Sequence, residues 1–268
     1  MRLRTEGGVT FFDLPEWEVR GARAIYSTRR GGVSEGPYSQ LNIGFHVGDD
    51  PAAVAENRRR LATATEMPLA SWVLGEQVHG CAVRVVGQSQ RGAGAWDMKS
   101  ALPASDALIG HQPGLVLGVH TADCVPVYLY DPVRRAIAMI HAGWRGTVAG
   151  IAGMTVMALA THLGSTPAEL LALIGPSIGP ADYRVDQKVF DALSLRYTWA
   201  GAVLEPAGEG QWHCDLWEAN RRQLLDAGLH AEAIAVTGLS TASHLDLFYS
   251  HRAEAGHTGR QLAALCLL

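Results

Sequence analysis

Apolar residues along this chain fall in short unbroken runs rather than in alternation, and turn-forming residues close each run. Leu115–His120, Val125–Tyr130 and Ala136–Ile140 follow one another in this way, with Asp131-Pro132-Val133-Arg134 as the turn between the last two. Runs of this length bounded by turns predict β-strands buried on both faces. Ala22–Thr28 and Leu170–Ile174 predict two more, the second ending in the rigid turn Gly175-Pro176-Ser177-Ile178-Gly179-Pro180. Helical signals lie between them. Asp50 before Pro51 reads as an N-cap followed by proline at the first helical position, so a helix is expected from Pro51 to about Thr65, with Arg58-Arg59-Arg60 as a solvated face. Further helices are expected over Thr147–His162, near Asp186–Tyr197 and near Leu216–Ala227. The chain closes on the apolar Leu262–Leu268, and no repeat, low-complexity tract or linker divides it, so one domain over residues 1–268 is expected.

Hydrophobic residues make up 48% of the 268 and charged residues 18%, enough for a large core. A formal net charge of −4 argues against a nucleic-acid partner bound through bulk charge. Met1–Gly8 lacks the apolar stretch of a signal peptide. The longest apolar-leaning stretch, Val148–Ala160, is broken by Gly150 and Gly153 and falls short of the roughly 20 residues a membrane span needs. No membrane association and a cytoplasmic location are the expectations. The four cysteines, Cys81, Cys124, Cys214 and Cys266, form no CxxC pair, which disfavours both a disulfide framework and a structural zinc ribbon.

Three segments carry the chemistry: Gln77-Val78-His79-Gly80, Thr121-Ala122-Asp123-Cys124, and His141-Ala142-Gly143-Trp144-Arg145-Gly146. Each sets one metal-ligand side chain beside small or turn-forming residues, at a predicted strand end or in a glycine-containing loop. Two His and one Cys leave a fourth tetrahedral position free, the pattern of a catalytic rather than a structural zinc site. Periodicity does not show that the three converge. Taken singly, a buried His or Cys is an ordinary core residue, and Cys124 reads equally as core, nucleophile or ligand. Asp123, beside the candidate ligands, reads as a general acid/base, an orienter of a His, or a turn cap.

A second set comprises Arg29, Arg30, Arg145, Arg252 and Arg260. Each alone reads as solvated surface. Their glycine-rich surroundings suit an oxyanion cradle of N–H groups and guanidinium forks, with Gly31-Gly32 allowing the Arg29–Pro37 loop to fold back tightly and present its N–H groups.

Together the motifs Thr28-Arg29-Arg30-Gly31-Gly32-Val33-Ser34, Leu41-Asn42-Ile43-Gly44, Gly48-Asp49-Asp50, Glu56-Asn57-Arg58, Gln77-Val78-His79-Gly80, Thr121–Val127, His141–Gly146, Ile174–Gly179 and Phe248-Tyr249-Ser250-His251-Arg252 resemble the YfiH-type laccase-domain family, also called multicopper polyphenol oxidase-like. The resemblance spans nearly the whole chain in the family's order. It implies an α+β fold of two mixed β-sheets packed face to face with helices outside, similar to the catalytic domain of cytotoxic necrotizing factor. It also implies a zinc-dependent purine nucleoside phosphorylase acting on adenosine, inosine, guanosine and methylthioadenosine with phosphate, with adenosine deaminase activity. The family's zinc ligands carry over to His79, Cys124 and His141. Asp123 is the candidate proton shuttle. Arg30, Asn42, Arg145 and Arg252, each inside a motif, are candidates for substrate and phosphate binding. Many members carry a Cys shortly before the Phe-Tyr-Ser segment, where Ser240 stands here.

The laccase label meets a physical objection: 11 His include no His-x-His pair, and such pairs typically build multicopper clusters. Copper can still occupy the three-donor set, since copper(II) out-competes zinc for nitrogen and sulfur ligands, which would make polyphenol oxidation a matter of metal loading. A metal-free Cys–His hydrolase or amidase, with Cys124 as nucleophile and His141 as base, is the alternative.

Overall fold

The computed structural model describes residues 1–268. Its strands are β1 (Arg2–Glu6), β2 (Val9–Asp13), β3 (Ala22–Ser27), β4 (Trp72–Leu74), β5 (Val83–Val85), β6 (Ala107–Gly110), β7 (Val116–Thr121), β8 (Val125–Asp131), β9 (Ala136–Ala142), β10 (Leu171–Ile174), β11 (Arg184–Val185), β12 (Leu204–Gly208), β13 (Gln211–Cys214), β14 (Ile234–Val236) and β15 (Gln261–Leu267). Its helices are α1 (Pro15–Glu18), α2 (Pro51–Ala64), α3 (Trp144–Ala149), α4 (Ile151–Leu163), α5 (Gln187–Arg196) and α6 (Leu216–Asp226). The first sheet has the order β1-β2-β3-β15-β7-β4 and the second β14-β10-β8-β9-β6-β5; a small third sheet is β11-β13-β12. Both large sheets are mixed: β4–β7, β10–β14 and β5–β6 are parallel pairs at their edges. The expected α+β class with two mixed sheets is what the chain adopts.

The unbroken apolar runs have a direct structural cause. Successive side chains of a strand point to opposite faces, and here both faces meet a core. In β15, Ala263, Leu265 and Leu267 enter the core between the sheets, while Leu262, Ala264 and Cys266 enter a second core beside α2. In β8, Tyr128 and Tyr130 face the inter-sheet core, and Val125, Val127 and Leu129 pack beneath α4, α5 and α6. The order of layers is helix, sheet, sheet, helix. At ~1.5–3 kcal/mol for each fully buried large aliphatic side chain, this burial dominates the stabilisation. Polar ties also cross the sheets: Tyr128 Oη of the second sheet donates to the carbonyl of Ile25 in the first at 2.8 Å.

The expected cap holds: Asp50 accepts from Ala52 N–H, and Pro51 opens α2. Three expectations are corrected. The Thr147–His162 helix is two helices, because Gly150 takes φ 88°, a left-handed conformation that ends α3 and starts α4. Arg58 is not part of a solvated face. It is 0% exposed, and its guanidinium donates to the carbonyls of Ile43, Gly94 and Ala95 and to His120 Nε2. Arg59 and Arg60 do face solvent, paired with Glu56. The Arg29–Pro37 loop folds back as expected, with Gly31 at φ 97° against the Gly8 carbonyl. Three of its N–H groups are turned inward rather than presented, however: Gly31 to Gln40 Oε1, Val33 to Asn57 Oδ1 and Ser34 to the Gln40 carbonyl. No helix is long and apolar enough to cross a membrane.

Candidate active site

Two connections pass from the first sheet to the second at one end of the sandwich, β4 to β5 and β7 to β8. The first carries His79 and the second Cys124. His141 lies near the end of β9, opposite Pro126 of β8, one register position beyond where the apolar run predicts the strand to stop. The three side chains converge: one ligand atom from each lies within 4.8 Å of the others, with His79 exposed, Cys124 half-buried and His141 buried. The two imidazoles meet edge to face, their centroids 4.9 Å apart.

Asp106, immediately before β6 and 0% exposed, organises this convergence. Its carboxylate accepts from the N–H groups of Val78, His79 and Gly80 at 3.2, 3.0 and 2.8 Å. It also bonds His141 Nδ1 at 2.9 Å. The first three bonds pin the tight turn in which His79 takes φ 60°. The fourth places the imidazole proton on Nδ1, so Nε2 is the nitrogen available as ligand or base. Gln77 pins the same connection from its other side: its amide accepts from His120 N–H at 2.7 Å and donates to the His120 carbonyl at 2.8 Å, as a strand neighbour would. Gly143 supplies the floor. A Cβ there would stand 3.0 Å from both Cys124 Sγ and His79 Cδ2, so glycine is required for space at an ordinary φ. A nitrogen–nitrogen–sulfur donor set whose atoms lie within 4.8 Å of one another fits a small metal ion.

Charge at this cluster is strongly coupled. Burial pushes the Cys124 thiol up, but His141 and His79 outweigh burial and bring it down to about 6. Burial pushes His141 down, while Cys124 and Asp106 raise it to about 9. Asp106 is raised by burial, yet His141 and the N–H groups of Gly80 and Val78 hold it below the usual carboxylate range.

The cluster lies on the wall of a 570 Å³ cavity that also takes in Glu76, Asp123, His120, Trp144, Tyr183 and Leu216. Asp123, at φ 86°, accepts from the hydroxyls of Thr241 and Ser250 and from Arg252 N–H. Three donors on two oxygens make it the clasp that ties the β7–β8 connection to the loops before β15. Of the candidate arginines, Arg145, Arg252 and Arg260 line the cavity and Arg30 does not. Arg145 lies over the Trp144 ring and Arg252 over Tyr183. Arg30 turns to Asp246 and Arg29 to Glu254. Asn42 is buried and off the cavity wall. Its Oδ1 accepts from Arg260 N–H at 2.9 Å and its Nδ2 donates to Asp49, so it acts on the cavity through Arg260.

The family model for the multi-copper polyphenol oxidoreductase laccase matches residues 23–268. The chain belongs to this family. It is 45% identical over 246 residues to the purine nucleoside phosphorylase YlmD of Geobacillus stearothermophilus, covering 91% of this chain and 89% of that protein. It is 34% identical to the purine nucleoside phosphorylase YfiH of Escherichia coli, covering 95% and 98%. The crystal structure of Bacillus licheniformis YfiH superposes with a TM-score of 0.95 at 37% identity, over 99% of each chain. That of Geobacillus stearothermophilus YlmD gives 0.92 at 40% identity, over 99% of this chain and 98% of the other.

Ser240, set apart in the sequence by the family resemblance, donates to Asp182 and accepts from Gly179 N–H at 3.0 Å. It is a tie between loops. Asp106, Gln77 and the buried Arg58 escaped sequence reasoning. An acid just ahead of an apolar run reads as a turn residue, and an arginine inside a run of three reads as surface. The one available signal was that Arg58 and Asn57 sit in a shared motif on a helix whose apolar positions are few.

Proposed function

We propose that this protein is a metal-dependent purine nucleoside phosphorylase, with zinc as its working metal, that also deaminates adenosine. The observation carrying this reading is the three-donor set His79, Cys124 and His141 on the wall of a nucleoside-sized cavity whose arginines lack carboxylate partners. The names borne by the relatives support its phosphorylase part. The titratable donors gather as one three-residue group, which suits a single ion and falls short of a multinuclear copper cluster.

Bound at these three residues, zinc supplies Lewis-acid polarisation. The protein supplies the remainder. Asp106 keeps His141 in one tautomer and one orientation. Arg145 and Arg252, flattened on aromatic rings, contact the substrate as planar donors. In phosphorolysis a phosphate oxygen bonds to C1′ of the ribose as the C1′–N9 bond breaks; its electron pair passes to the purine, which takes up a proton. In deamination water adds at C6 and ammonia leaves. The proton movements fall to the two carboxylates of the cavity wall: Asp123, the shuttle expected from the sequence, which accepts from three donors, and Glu76, which is exposed there and free of that set. Adenosine turnover with and without phosphate tests the reading. Ribose-1-phosphate is expected only with phosphate, and inosine in both cases; zinc-loaded protein that forms neither would refute it.

One observation favours a second reading. A thiol lowered to about 6 beside an imidazole raised to about 9, itself oriented by a buried aspartate, is the nucleophile–base–orienter arrangement of a cysteine hydrolase. Activity that survives chelation and dies on thiol alkylation would establish it.

A further inference from the structure

Behind the cavity lies a buried cation without a counter-ion. Arg58 is 0% exposed, is ion-paired with no carboxylate, and stacks on Phe45 at 4.3 Å. Isolated buried charge is costly, and proteins retain it when something anionic answers it. Its hydrogen bonds show where that answer lies. Three of them end on backbone carbonyls, and Nη2 lies 3.0 Å from His120 Nε2. Arginine only donates, so His120 accepts at Nε2 and carries its proton on Nδ1. His120 is 4% exposed and lines the cavity, and no protein group pairs with that Nδ1–H. The imidazole thus extends the buried positive charge to the cavity wall as a polarised donor.

A second element meets it there. Arg260 and His46 also line the cavity. Gly44 lets them crowd against one point of backbone: a Cβ on it would stand 2.8 Å from Arg260 Cγ and 3.3 Å from His46 Cε1. Arg260 Nη1 donates to the carbonyls of Thr258 and Gly259, which fixes the guanidinium and leaves Nε and Nη2 for a ligand. The His46 and His120 rings meet edge to face at 5.7 Å.

We propose that Arg260, His120 and His46 form a tetrahedral-oxyanion subsite, with Arg58 as the fixed charge behind it, and that its ligand is the phosphate co-substrate. The identity of the ligand rests on the phosphorylase reading; the subsite does not. A phosphate dianion offers acceptors to the guanidinium fork and to the His120 N–H at once, and charge-assisted bonds of this kind are the strong ones. The subsite replaces Arg30, which Asp246 holds elsewhere, as the leading phosphate ligand.

The test measures inorganic phosphate binding by calorimetry on zinc-loaded protein, alongside steady-state phosphorolysis. Arg260→Met is expected to raise the phosphate Kd and the phosphate KM by about tenfold or more, with nucleoside KM and zinc stoichiometry unchanged. His120→Asn, which still offers an acceptor to Arg58 and an N–H to the cavity, is expected to retain phosphate, and His120→Phe to lose it. The surface variant Arg59→Gln is the control. Unchanged phosphate affinity in Arg260→Met overturns the subsite, and that variant does not depend on how well His120→Phe folds. A loss confined to nucleoside KM overturns it as well. Binding that requires a nucleoside 5′-monophosphate, with inorganic phosphate inert, overturns the assignment to free phosphate. If phosphate binds through Arg260 while the wild type cleaves no nucleoside, the subsite stands and the phosphorylase reading falls.

Discussion

Asp106 shows how much one side chain settles. It holds three backbone N–H groups of the connection that carries His79 and a ring nitrogen from a different strand. Asp106→Asn keeps the size and removes the charge, and its NH₂ cannot serve all four donors. Zinc affinity is expected to fall ~10–100-fold, as for other residues that orient metal-binding histidines; competition with a chromophoric chelator measures it. Gly143→Ala attacks the same site by volume. The added methyl would press on Cys124 Sγ and His79 Cδ2 at 3.0 Å, so metal binding and turnover should be lost while the melting temperature of the metal-free protein stays near that of wild type. The three candidate donors were legible because Cys and His beside small residues are sparse. What aligned them was not, because Asp106 and His141 are 35 positions apart and nothing local marks the pair.

At the scale of elements, the strands that read most clearly were those with a core on both sides, β7, β8, β9 and β15. A long apolar run survives there because neither face needs a polar residue. β1, wholly exposed, and the short strands of the third sheet carry no such run and were not visible. The α3–α4 break was missed because Gly150 sits in an otherwise helical pattern, where one glycine is tolerated. Gly150→Ala would force a side chain into φ 88° and bring a methyl to 3.2 Å from Tyr197 Oη. Urea denaturation should show a loss of ~1–2 kcal/mol.

For the whole molecule, the buried positive set beside the cavity predicts an acid limb. His120 is held well below the ordinary histidine value of 6.5, first by burial and then by Arg58. With its folded value depressed, native protein binds fewer protons than unfolded protein below pH 6.5. Stability is therefore present above that pH and lost as pH falls through it, by at most ~1.4 kcal/mol per pH unit for this one group. Melting of chelated protein across the range should show the decline, and His120→Asn should flatten it.

His79 and Cys124 ride on the two segments that leave one sheet for the other, and His141 belongs to the receiving sheet. An ion shared among them would act as a shear pin through the sandwich, opposing any slip of one layer over its neighbour. Amide exchange in β7, β8 and β9 should slow together when zinc is added, and by the same linkage a variant that loosens the interior around Met139 and Leu117 should release its ion more readily.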